Sequence, residues 1–165
     1  MTSGEGRRID PRIALLLDAL DRGFDRKGWH GTTLRGALRG VTPGQALWRA
    51  GPGRPTIWQL LLHTAYWKYA VRRRLTGAAV GGFGRGPSNW PRLPEVTDAA
   101  ALRRDIVFLE REHRSLRDAI RSFPPAALAR RRPGSIWTPA QQIQGVVAHD
   151  LYHTGQIQLL KRLMG

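Results

Sequence analysis

Two histidines four residues apart, His149 and His153, stand in the stretch "AHDLYHTGQ", with Asp150 directly after the first. An imidazole nitrogen is a good ligand for a divalent transition metal. Residues four apart share one face of a helix, with Cβ atoms roughly 5–6 Å apart, so two rings there can converge on one ion at about 2.0–2.1 Å each. The apolar stripe Val146, His149, His153, Ile157, Leu160, Met164 turns both histidines inward. In another helical segment the stripe Leu60, His63, Trp67, Val71 does the same for His63, which offers a third ligand. Three neutral imidazoles on a divalent ion leave a position open for water or substrate. The plainer reading is three core histidines, each satisfied by one hydrogen bond, and spacing alone leaves both readings standing.

Other residues are weaker candidates. "HDLYH" invites comparison with the H-E-x-x-H of zinc proteases, but the acid is an aspartate, one methylene shorter, and no third-ligand motif follows. Asp150 points about 100° around the helix from His149, which suits an ion pair with an arginine better than a catalytic base. His113 lies on a core stripe between Glu112 and Arg114 and reads as structural. His30, in "GWHGTTL", could approach the open end of a bundle as a substrate group or lie on the surface. Trp29, Asn89 and Trp90 belong to loops that could cover that end, lining a pocket or packing the cap. With no cysteine in the chain, histidine and carboxylate are the available transition-metal ligands, and any thiol must come from a cofactor.

Four long helical segments position these residues, and almost nothing reads as strand. The first opens with Asp10 as N-cap and Pro11 after it, and ends before "KGWHG". A short helix is expected near residues 32 to 39, and a single turn within "VTPGQALWRAGPGRP". Thr56 and Gln59 form a capping box for the second long helix, which should end near Gly77. Residues 77 to 96, rich in Gly and Pro, read as a long loop. The third long helix is expected from about Thr97 to Ser122, with Leu102, Ile106, Leu109, His113, Leu116, Ile120 and Phe123 on its core face. Thr138, Pro139 and Gln141 start the fourth firmly, and it runs nearly to the end. The expected architecture is an all-α four-helix bundle forming a single domain over 1–165, with any site built from inward side chains of facing helices.

The chain has 27 basic and 12 acidic residues, a formal charge of +15. Such a field attracts anions, and Arg72 to Arg74 and Arg130 to Arg132 are candidate phosphate contacts. The arginines are scattered, however, and no base-reading motif accompanies them, so nucleic acid is not the expected partner. The longest apolar run, "IALLL", is far too short to span a bilayer, and "MTSGEGRRIDPR" has no apolar core of a secretory signal. A cytoplasmic protein is expected.

The segments "IWQLLLHTAYWKYAVRRRLTG" and "AHDLYHTGQIQLLKRL", with "GWHGTTLRGALRGVTPGQALWRAGPGR" and "GPSNWPRLP", resemble the DinB-like (damage-inducible) metal-binding superfamily over nearly the whole chain. The closing H-x-x-x-H-x-G-Q is the most specific element of this likeness. The resemblance implies an up-down-down-up four-helix bundle holding a divalent metal, often zinc or nickel, through three histidines: here His63, His149 and His153. It implies a metal-dependent hydrolase or a transferase using a small thiol such as mycothiol or bacillithiol, acting on a small molecule. It also allows a homodimer. The alternative is a non-enzymatic stress-response bundle that binds metal or a small ligand, and behind it a basic nucleic-acid-associated protein.

Overall fold

A computed structural model of the chain describes residues 8–77 and 81–165. Residues 1–7, part of the stretch read above for a secretory signal, lie outside the described residues, as do 78–80 of the long loop. The described residues form helices α1 (Pro11–Phe24), α2 (Leu34–Ala37), α3 (Pro43–Leu47), α4 (Ile57–Thr76), α5 (Ala99–Arg121) and α6 (Pro139–Leu163), with a 3₁₀ turn at Pro125–Ala127. Among them there is no strand, only an isolated bridge between Gly28 and Gly31. No helix among them is long and apolar enough to cross a membrane.

Local chemistry sets the helix starts. The Asp10 carboxylate accepts from the Arg12 N–H, and Pro11 follows where a helix has no use for an N–H. Thr56 and Thr138 each accept from the backbone three residues on, while Gln59 and Gln141 reach back to bond the cap N–H groups. The expected single turn is α3, closed by a third capping box between Thr42 and Gln45. One start differs from expectation. Asp98, not a residue before it, caps α5 by accepting from Ala101, so the helix begins at Ala99. Gly77 ends α4 at a φ of 91°, a left-handed conformation that only glycine adopts at little cost.

The four long helices pack as a bundle in which α4 contacts α5 and α6, and α1 contacts the same two. Cross-helix contacts give the sense of each pair. Trp58 meets Asp105 and Arg72 meets Glu112, so α4 and α5 run parallel. His63 meets His153 while Trp67 meets His149, so α4 and α6 run antiparallel. Phe24 stacks on His113 and Asp21 binds Arg117, which sets α1 against α5. Gly23 faces Val147, and the chain just beyond α1 meets the end of α6 through Thr32 and Gln158, consistent with α1 and α6 running the same way. These senses are those of an up-down-down-up bundle.

The core falls into two apolar clusters. One gathers Phe24, Leu34, Trp58, Leu61, Leu102, Leu109 and Ile157; the other gathers Ile13, Leu17, Val71, Leu116, Ile120, Ile143 and Val146. Each fully buried leucine contributes about 1.5–3 kcal/mol through the apolar surface it removes from water. Between the clusters lies a buried polar layer of Asp21, Lys68, Glu112, His113 and Asp150. The three candidate histidines sit at that same level, where α4 faces α6.

Candidate metal centre

The antiparallel packing of α4 on α6 brings His63 onto the two-histidine face of α6. His149 Nε2 lies 3.1 Å from His63 Nε2 and 3.0 Å from His153 Nε2. One ligand nitrogen from each ring lies within 4.8 Å of the other two. Two nitrogens bound tetrahedrally at about 2.0–2.1 Å stand roughly 3.3 Å apart, close to the spacing here.

The remaining ring nitrogens fix the tautomers. His63 Nδ1 is 2.5 Å from the Asn89 carbonyl oxygen, which can only accept, so Nδ1 carries the hydrogen and Nε2 presents a lone pair. His153 Nδ1 donates to Gln156 Oε1 at 2.6 Å, which leaves its Nε2 unprotonated too. Gln156 is itself oriented by donating from Nε2 to the Tyr152 hydroxyl at 3.3 Å. Ligating histidines usually have this outer support from a carbonyl. His149 Nε2 then faces two lone pairs and can offer one hydrogen at most, while its buried Nδ1 has no partner. A proton therefore cannot satisfy the three nitrogens together, whereas a cation between them can. The donor set fits a divalent ion.

Burial also keeps these rings neutral. It is the main cause holding His63 and His153 below the ordinary imidazole value. His149 is pulled down to about 3, again mainly by burial, with His153, His63 and Lys68 adding repulsion. Neutral imidazole is the form that ligates.

The loop before α5 covers one side of the cluster. Trp90 stacks on His63 with ring centroids 3.9 Å apart and planes 12° from parallel, and Asn89 contributes its carbonyl as described. Those two expected pocket residues are thus brought to the cluster, Asn89 through its backbone. Trp29 and His30 are not. Trp29 is fully exposed, and His30 Nε2 contacts the Arg22 carbonyl, because the Gly28 to Gly31 bridge folds their loop back on α1. A cavity of about 440 Å³ opens beside His149 between Trp67, Val71, Val146 and Trp137. A groove under residues 132–137 adjoins it.

Sequence reasoning missed several of these neighbours. Asp150 was expected to pair with an arginine; its partner is Lys68, and both side chains are fully buried. A lysine in mid-helix reads as a surface residue, so the sequence carried no signal for this pair beyond its place near the stripe. His113 is structural as expected: it is buried, stacks on Phe24 at 3.8 Å and lies 3.5 Å from Asp21. Of the arginine triplets, Arg72 binds Glu112 and Arg132 caps the carbonyls of Arg74 and Leu75. Gln156 could have been found from the closing motif, since it stands three residues after His153 on the same face.

The family model for the DinB superfamily matches residues 28–157, which include all three histidines. No curated protein and no solved structure matches the chain.

Proposed function

The chain belongs to the DinB superfamily, and we propose that it binds one divalent transition-metal ion, zinc or nickel, through His63, His149 and His153 and uses it to act on a small molecule. The observation that carries this reading is the meeting of three imidazole nitrogens, two of them held as lone pairs by the hydrogen bonds at Asn89 and Gln156. A divalent ion in such a site supplies Lewis acidity and stabilises an anionic oxygen or sulfur nucleophile near neutral pH. This supports a metal-dependent hydrolase or a transferase using a small thiol, with the thiol supplied from outside a chain that has no cysteine.

The chain's own residues do the rest. Asn89 and Gln156 orient two rings, Trp90 shields the His63 face from water, and the cavity walled by Trp67 and Trp137 admits a small molecule beside His149. Elemental analysis of tag-free protein prepared without chelator tests the site. Near one equivalent is expected in the parent, with loss in His63→Ala and in His149→Ala. No uptake by the parent after soaking with zinc and nickel would return the three histidines to the core. Turnover in an esterase and thiol-transfer screen should vanish in His153→Ala while the fold survives; activity persisting in that variant refutes the mechanism.

A further inference from the structure

The cavity beside His149 opens at the edge of the second apolar cluster, which supplies its two valines. Trp67 and Trp137 form its aromatic walls, Val71 and Val146 its aliphatic ones, and Arg74 stands on it. Arg74 differs from Arg72 and Arg132, whose guanidinium groups are bonded nearby. Arg72 is bonded to Glu112, and Arg132 gives its terminal nitrogens to the backbone carbonyls at the end of α4. Arg74 has no carboxylate partner among the described residues, and its guanidinium lies 5.7 Å from the centroid of Trp67. The same indole lies 5.9 Å from the His149 ring. Trp67 therefore links a free cation to the candidate metal centre.

Each feature selects a part of the ligand. Flat aromatic walls favour a flat apolar body, and burying it there removes apolar surface from water. An arginine without a carboxylate binds a planar carboxylate or a phosphate in bidentate fashion. Trp137 is 55% exposed on the loop that borders the cavity, so a ligand reaching it would cover an indole otherwise in water.

We propose that this cavity is the subsite for a small molecule with a flat apolar body and one anionic group, carboxylate or phosphate, anchored on Arg74. With the triad read as the metal centre, the opposite end of that molecule faces the ion; the anchoring itself does not need the metal.

Isothermal titration with 2-naphthoate, 2-naphthyl phosphate and the neutral 2-naphthamide tests it, on zinc-loaded and on chelator-treated protein. Both anions should bind about tenfold tighter than the amide, in either state. Arg74→Gln should abolish that preference while leaving the amide's affinity unchanged, and Trp137→Ala should weaken all three probes alike. The stronger of the two anions identifies the headgroup. Equal binding of the three probes, or no binding, overturns the proposal. A preference that survives Arg74→Gln but disappears on chelation would put the anion on the metal and overturn it as well. Metal content measured on the same samples keeps the two readings apart, because a chain that takes up no metal yet shows the Arg74-dependent preference refutes the centre and retains the subsite.

Discussion

Replacing Lys68 by methionine isolates the energetic role of the buried polar layer. The Lys68 ammonium and the Asp150 carboxylate are both fully buried and bonded through Asp150 Oδ2, and Asp150 Oδ1 has no hydrogen-bond partner among the described residues. Methionine keeps the aliphatic stem and removes the charge, leaving a carboxylate alone in the core. Breaking one side of a buried pair costs about 3–5 kcal/mol. At roughly 2–4 °C per kcal/mol for a chain of this size, calorimetry at neutral pH should show Tm falling by roughly 6–20 °C. The pH dependence gives an independent check. Burial already holds the Asp150 carboxyl above its ordinary value of 3.8, with Lys68 opposing. Without Lys68 it rises further, so the folded variant binds a proton that the unfolded chain has lost. The deficit against the parent should therefore shrink as the pH is lowered toward 4 and grow as it is raised. Combining Lys68→Met with Asp150→Leu removes the stranded charge and should restore most of the loss. A single variant within about 1 kcal/mol of the parent, or a double variant no better than the single, refutes the reasoning.

Three further outcomes concern the metal centre. Zinc at a hundredfold excess over its Kd should stabilise the parent by about 2.7 kcal/mol, seen as a rise in Tm that His63→Ala lacks. Gln156→Leu removes the acceptor that orients His153 and should weaken zinc binding by about 10–100-fold in chelator competition; unchanged affinity would show that the ring needs no such support. Metal-free protein should lose stability as the pH falls from about 6.5 toward 3, because the unfolded His149 takes up a proton that the folded one, held at about 3, refuses. A urea midpoint measured across that range should fall less steeply in His149→Ala.

What the sequence made legible was local. The caps at Asp10, Thr56 and Thr138 could be read because side chain and backbone partner lie within three residues of each other. The inward placement of His63, His149 and His153 followed from helical periodicity, and periodicity is also why His113 read as core. Features that depend on which helices face one another were hidden. Lys68 and Asp150 are 82 residues apart, and nothing in the composition of α4 marks its one lysine as buried. The cavity draws its two indoles from α4 and from the loop before α6, a pairing visible only once those segments meet. Trp29 and His30 were expected near the site because their loop could cover the open end of the bundle, and a local bridge between glycines holds that loop elsewhere.

The hydrogen bond from His63 to position 89 uses a peptide oxygen, not the asparagine side chain. Any residue with an ordinary backbone offers the same acceptor, so that position tolerates substitution while the path of the loop does not. Inserting or deleting one residue between Gly86 and Trp90 would displace the carbonyl from the imidazole, even with every letter of the histidine triad intact. A comparison made residue by residue would grade such a deletion as mild surface variation. For this centre, the spacing of the loop before Trp90 carries information that the side chain at position 89 does not encode.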